Sequence, residues 1–110
     1  MATRKASCNC GQLRVTTKGP DPDRVVMCNC YLCQKQTGSA FAIQATFPKD
    51  QVTIEGRSKI WTHLADSGNR ITYHFCPECG STVYYVLAET PENIGVKVGC
   101  FTDPTFPPPV

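Results

Sequence analysis

The 110-residue sequence has no apolar run long enough to cross a membrane as a helix. It has no internal repeat and, apart from Pro107-Pro108-Pro109, no low-complexity segment. Its basic residues stand singly except at Arg4-Lys5, and the net charge is only +2. The basic stripe that a phosphate backbone demands is therefore missing. These absences argue against a membrane span and against a nucleic-acid partner. No apolar stretch follows the charges of Met1 to Ser7, which argues against a conventional secretory signal. The expected compartment is a reducing cytoplasm, where cysteines stay thiols. With 41% hydrophobic and 18% charged residues the chain reads as globular, and its length fits one domain, residues 1–110, with a modest core.

No window carries a convincing helical stripe; the best candidate is a single turn around Tyr31 to Gln36. The dominant pattern has period two. Leu13, Val15 and Thr17 alternate with other residues, as do Val52 and Ile54. The same spacing recurs in Ile71, Tyr73 and Phe75, in Val83, Tyr85 and Leu87, and in Ile94, Val96 and Val98. Arg24 to Cys28 and Phe41 to Phe47 read as two further strands. Turn residues separate these runs at Gly19 to Asp23, Pro48 to Asp50, Glu55 to Arg57 and Asp66 to Asn69. The pattern predicts an all-β, antiparallel domain of seven or eight short strands.

Seven of the eight cysteines fall into three tight clusters: Cys8-Asn9-Cys10, then Cys28 with Cys30 and Cys33, then Cys76-Pro77-Glu78-Cys79-Gly80. Such spacings hold two sulfurs side by side, which suits one metal ion taking both thiolates. Cys8 and Cys10 are expected in one strand–turn–strand corner, with Gly11 completing the turn. Cys76 and Cys79 are expected in another. Pro77 fixes one torsion there and Gly80 permits a positive one, which makes a metal-binding knuckle. Two knuckles far apart in sequence can clamp one ion, so Cys8, Cys10, Cys76 and Cys79 predict a closed, structural zinc site. Cys28, Cys30 and Cys33 supply three thiolates from one stretch and leave a fourth position open. A thiol arriving there would be held as thiolate. Plainer readings are that Cys100 or His63 closes this second site, or that it serves as a redox thiol or zinc sensor. A non-catalytic zinc module is a further alternative.

The sequence resembles the glutathione-dependent formaldehyde-activating enzyme family, whose domain is shared with centromere protein V. The likeness rests on Cys8-Asn9-Cys10-Gly11, Cys28 to Cys33 and Thr37-Gly38-Ser39-Ala40-Phe41. It continues through Phe75 to Ser81 and Val98-Gly99-Cys100-Phe101-Thr102-Asp103-Pro104, in the order expected over nearly the whole chain. The resemblance implies a β-tent architecture with two zinc ions per chain. It implies that Cys8, Cys10, Cys76 and Cys79 hold the structural zinc and that Cys28, Cys30 and Cys33 hold the catalytic one. It also implies a carbon–sulfur lyase-type reaction joining formaldehyde to glutathione, or another small thiol to an aldehyde-type carbon, in a monomer or homodimer. Many relatives continue beyond the position of Pro107-Pro108-Pro109-Val110, and commonly carry another residue at Cys100.

Other residues have candidate roles. His63, placed between strands, and His74 are possible general bases; the plainer expectation is ordinary surface or half-buried histidines. Lys35, Arg57, Lys59 and Arg70 could pair with substrate carboxylates. Trp61, Tyr31 and Phe41 could wall a pocket, with Phe41 rather expected in the core. Thr37, Gly38 and Ser39 are expected to orient the cysteine thiolates.

Overall fold

The computed structural model describes residues 2–23, 25–65 and 67–106. Arg24, Asp66 and Pro107-Pro108-Pro109, which enter the sequence reading as a strand start, part of a turn and a tail, lie outside them, as do Met1 and Val110. Among the described residues the strands are β1 (Ala2–Ser7), β2 (Arg14–Gly19), β3 (Val25–Cys28), β4 (Ala42–Pro48), β5 (Val52–Glu55), β6 (Lys59–Leu64), β7 (Arg70–Phe75), β8 (Thr82–Leu87) and β9 (Asn93–Lys97). One helix, α1 (Tyr31–Thr37), follows β3. Short 3₁₀ turns cover Lys49–Gln51 and Val98–Phe101.

The strands form two antiparallel sheets, a small one ordered β1-β2-β5 and a large one ordered β3-β4-β9-β8-β7-β6. The chain enters the small sheet, leaves for β3 and β4, returns for β5, and finishes in the large sheet. The two inner faces bury Leu13, Val15, Val25, Ala45, Phe47, Val83, Ile94, Val96 and Phe101 in one cluster. Cys8 and Cys76 belong to that cluster, so one candidate metal-ligand group is continuous with the core.

Of these strands, β6 is absent from the sequence reading, and β1 enters it only as the unlocated first arm of the corner at Cys8 and Cys10. The extent of β1 escapes because its inward residues are Arg4 and Ala6, not a run of β-branched side chains. Arg4 is buried nonetheless, its guanidinium bonded to Asp21 and Asp103 and lying 4.6 Å from the centre of the Phe106 ring. These partners are distant in sequence, so no local pattern announces the burial. β6 is an edge strand whose Ile60 and Leu64 remain exposed. His63 therefore lies within a strand, paired with Ile71, rather than between strands.

The large sheet has a second, outward face. In antiparallel register, cross-strand partners share a face. Trp61 pairs with Tyr73, Tyr73 with Tyr85 and Tyr85 with Gly95. Farther along β9, Lys97 pairs with Gln44. Trp61 stacks on Tyr73 with ring centres 5.8 Å apart, and Tyr85 continues the row at the same separation. Gly95 makes room for it: a Cβ there would lie 2.1 Å from Cζ of Tyr85. Gly95→Ala should force the Tyr85 ring aside and cost about 1–3 kcal/mol, as overpacking does. Chemical denaturation checks this; an unchanged midpoint would mean that the ring yields without cost.

Candidate metal centres and the adjoining cavities

The two turns that carry the closed group are built alike. Gly11 has φ +84° and donates its amide to the Cys8 carbonyl at 3.1 Å; Gly80 has φ +80° and donates to the Cys76 carbonyl at 2.8 Å. Such positive torsions favour glycine, as the knuckle reading expects. The turns bring Cys8, Cys10, Cys76 and Cys79 together with every Sγ within 4.8 Å of the others. Cys10 Sγ lies 3.6 Å from both Cys8 Sγ and Cys76 Sγ. Four thiolates each about 2.3 Å from a central zinc would stand about 3.8 Å apart, whereas a disulfide needs about 2.05 Å. The donor set thus fits a tetrahedral soft-metal site.

Donors surround these sulfurs. The Leu13 and Glu78 amides point at Cys8 Sγ and Cys76 Sγ at 3.4 and 3.3 Å, and Gln12 Nε2 reaches Cys76 Sγ at 3.0 Å. Gln12 also bonds the Arg57 backbone through both ends of its amide. The Ser81 hydroxyl and amide draw the Cys79 thiol down to about 5. Burial opposes ionisation of Cys76, but the Gln12 amide and the Cys79 and Glu78 backbone amides outweigh it. For Cys10 the Gln12 backbone amide favours the thiolate, yet Cys8, burial, Cys76 and Cys79 together push it up to about 12. Such a divided set can hold four negative charges only around a cation.

The second group stands where β3 ends and α1 begins. Cys28, Cys30 and Cys33 place their Sγ atoms within 4.8 Å of one another, with Cys28 and Cys30 at 3.4 Å. Cys30 is the helix N-cap, its sulfur accepting the Cys33 amide at 3.4 Å. That amide is the main reason its thiol is drawn below the ordinary value. Burial, then Cys28 and Cys30, push Cys33 up to about 12. Among the described residues, no fourth His, Cys, Asp or Glu joins this group. Neither Cys100 nor His63 closes it. His63 sits against Trp61, while His74 bonds the Ser58 hydroxyl and stacks on Tyr84, a core residue.

Two cavities lie along α1. One, of about 410 Å³, is lined by residues including Gln36, Thr37, Phe41, Ser81, Lys97 and Cys100. The other, of about 340 Å³, is lined by residues including Leu32, Lys35, Gln36, Trp61, Tyr73 and Phe75. Phe41, expected in the core, is exposed at the first cavity because its neighbour Ala42 takes the inward position. Tyr31 is exposed and lines neither cavity. Lys35 reaches the second cavity; Arg57 instead pairs with Glu78 at the other corner, and Lys59 and Arg70 are exposed. Thr37 and Gly38 finish the helix rather than touch a thiolate: the Thr37 hydroxyl donates to the Cys33 carbonyl at 2.8 Å, and Gly38 takes φ +70°. Ser39 binds back to the Thr37 hydroxyl.

Sequence reasoning missed Gln12, Gln36 and Lys97. Lys97 is 7% exposed, donates to Gln44 Oε1 at 2.8 Å, and lies 5.6 and 5.4 Å from the centres of the Tyr73 and Tyr85 rings. Burial lowers its pKa, while the sulfurs of Cys33, Cys28, Cys100 and Cys30 pull it back up. The one sequence signal was a lysine at an alternating position of a strand buried on both faces.

The sequence profile described as glutathione-dependent formaldehyde-activating enzyme matches residues 3–110 of the chain. A crystal structure of a Rhodobacter sphaeroides protein shares the fold with a TM-score of 0.64, at 21% identity over 87% of this chain and 85% of that one.

Proposed function

The chain belongs to the glutathione-dependent formaldehyde-activating enzyme family, and from that premise we propose a zinc-dependent carbon–sulfur lyase-type enzyme. It would join a small thiol, such as glutathione, to an aldehyde carbon, and split the same adduct in reverse. In this reading residues 1–110 form one β-tent domain with two zinc ions. Cys8, Cys10, Cys76 and Cys79 hold the structural ion; Cys28, Cys30 and Cys33 hold the catalytic one. A reducing cytoplasm is the fitting compartment.

The observation that carries the proposal is the three-sulfur group with no fourth protein ligand among the described residues, placed at the start of a helix whose Leu32, Lys35, Gln36 and Thr37 line two cavities. A zinc ion bound there would act as a Lewis acid and favour the thiolate form of a substrate sulfur. The chain's own residues do the rest. The Cys33 amide and the turn of α1 hold Cys30 at a fixed angle. Phe41 and Trp61 stand in the walls of the cavities that open along α1. The chemistry is redox-neutral: the S–H proton leaves, a carbon–sulfur bond forms, and the carbonyl oxygen takes a proton from solvent. The exposed Cys30, 3.4 Å from Cys28, supports the rival reading of an oxidation-sensitive zinc sensor.

The test is glutathione titration into protein loaded with cobalt in place of zinc, together with turnover of glutathione and formaldehyde. We expect a change in the cobalt–thiolate absorption and production of the adduct above the uncatalysed rate. No spectral change and no turnover would overturn the proposal.

A further inference from the structure

Lys97 is the lysine that the fold treats differently. Lys5, Lys18, Lys35, Lys49 and Lys59 are exposed, whereas Lys97 is buried in β9 and forms no ion pair with a carboxylate among the described residues. A buried ammonium without an anion is costly, and the cost falls on the charged form alone. Releasing a proton removes it, and burial accordingly lowers the Lys97 pKa, against the pull of nearby thiols. The neighbours suit a neutral amine. Gln44 meets Lys97 Nζ through Oε1 at 2.8 Å, so it takes an N–H and leaves the nitrogen lone pair free. The Tyr73 and Tyr85 rings offer their faces, not a counter-charge.

Lys97 also has a space in which to react. It lines the cavity of about 410 Å³, whose walls include the apolar Phe41, Ala42 and Ile43. An uncharged molecule enters such a space without the desolvation penalty that an anion would meet. Gln36 lines the same cavity, and its Oε1 is buried without a hydrogen-bond partner. A buried acceptor left alone carries a desolvation cost that an arriving donor removes. A nucleophilic amine and an idle acceptor in one largely apolar space fit a carbonyl group. Addition of an amine turns the carbonyl oxygen into a hydroxyl, which is the donor that Gln36 lacks.

We propose that Lys97 is a covalent capture site for a small uncharged aldehyde, which it holds as a Schiff base, with Gln36 accepting the hydroxyl hydrogen of the first adduct. The nitrogen lone pair forms the N–C bond and the carbonyl π pair moves to oxygen. Nitrogen loses one proton and oxygen gains one, giving a carbinolamine. Loss of water then gives the imine, and addition of water reverses both steps; nothing is oxidised or reduced. The site stands apart from the three-sulfur group and needs no thiol, so it goes beyond the proposed function, where the aldehyde meets only a sulfur. Gln44 gains a purpose as well, since the sheet register sets it beside Lys97 to orient the amine.

Reductive trapping tests this. Zinc-loaded protein, with no thiol added, receives a brief pulse of formaldehyde with cyanoborohydride, which reduces an imine to a methylated amine. Peptide mass spectrometry then reads each lysine. At neutral pH, early methylation of Lys97 should exceed that of each exposed lysine about tenfold or more, the scale on which burial favours a neutral amine over a solvated, protonated one. Gln36→Leu should lower the Lys97 yield about threefold or more, the scale of one neutral hydrogen bond, and leave Lys35 unchanged. Lys97→Arg should remove the fast site without speeding any other. Methylation of Lys97 no greater than that of Lys35 overturns the inference on the wild type alone, because the ammonium then keeps its charge or the cavity excludes the aldehyde. An undiminished Lys97 yield in Gln36→Leu strikes Gln36 from the site. Since no thiol is present, failure here leaves the cobalt titration with glutathione to decide the proposed function by itself.

Discussion

Cys76→Ser should abolish cooperative folding rather than weaken it. Cys76 is fully buried, in the same cluster as Leu13, Val83 and Val96, and its Sγ sits between Gln12 Nε2 and Cys10 Sγ. Serine would replace a soft ligand with a hydroxyl that zinc does not take up in such a set. Closed sites of this kind contribute about 10–16 kcal/mol in small peptides, against a total stability of about 5–15 kcal/mol for a typical domain. Losing the site therefore exceeds what the core can supply. The measurable outcome is disappearance of the thermal unfolding transition and rapid proteolysis, with metal content no higher than one ion per chain. A folded Cys76→Ser protein with an intact transition would refute the structural role of this group.

Cys30→Ser should do the opposite: leave the fold and remove the chemistry. Position 30 is the N-cap of α1, where its sulfur accepts the Cys33 amide. Serine is among the best N-cap residues, so the helix start keeps its acceptor and the stability change should stay within about 1 kcal/mol. The metal, however, would be left with Cys28 and Cys33 alone. We expect metal content to drop from two ions to one, thermal unfolding to shift little, and adduct formation to fall to the uncatalysed rate. Metal analysis, calorimetry and turnover on one preparation suffice. Retention of two ions with full turnover would remove Cys30 from the ligand set. The two substitutions together would separate the ion proposed to build the protein from the ion proposed to work in it.

How far the residues announced this structure varied with the range of the interactions involved. Both sulfur groups were legible because their geometry is local: Cys-x-Cys and Cys-Pro-x-Cys-Gly fix their own turns, and only the meeting of the two corners is tertiary. Strands with β-branched residues on one face, such as Ile94 and Val96 in β9, were legible for the same reason. The extent of β1 was not, because an inward Arg4 is neutralised by Asp21 and Asp103, partners seventeen and ninety-nine residues away. β6 was not, because an edge strand has one neighbour and leaves both alternating sets half exposed. The cavities were the least legible part. Lys97 and Gln36 come from two elements that only the seat of α1 brings to one cavity, while the pairing of β4 with β9 sets Gln44 beside Lys97. No spacing in the sequence encodes that meeting.

The large sheet presents alternate residues of each central strand to opposite sides. Ala45, Tyr84 and Val96 face the buried cluster; Gln44, Tyr85 and Lys97 lie on the side of the row of rings. Neighbours in sequence thus answer to different selective demands. Under the proposed function, changes at Trp61, Tyr73 and Lys97, which line the cavities, would alter which thiol is accepted while the cluster on the other side of the backbone keeps its members. A library randomised at those outward positions should therefore retain a large share of folded members while ranging widely in ligand preference. The same sheet that separates two chemistries also makes one of them free to evolve.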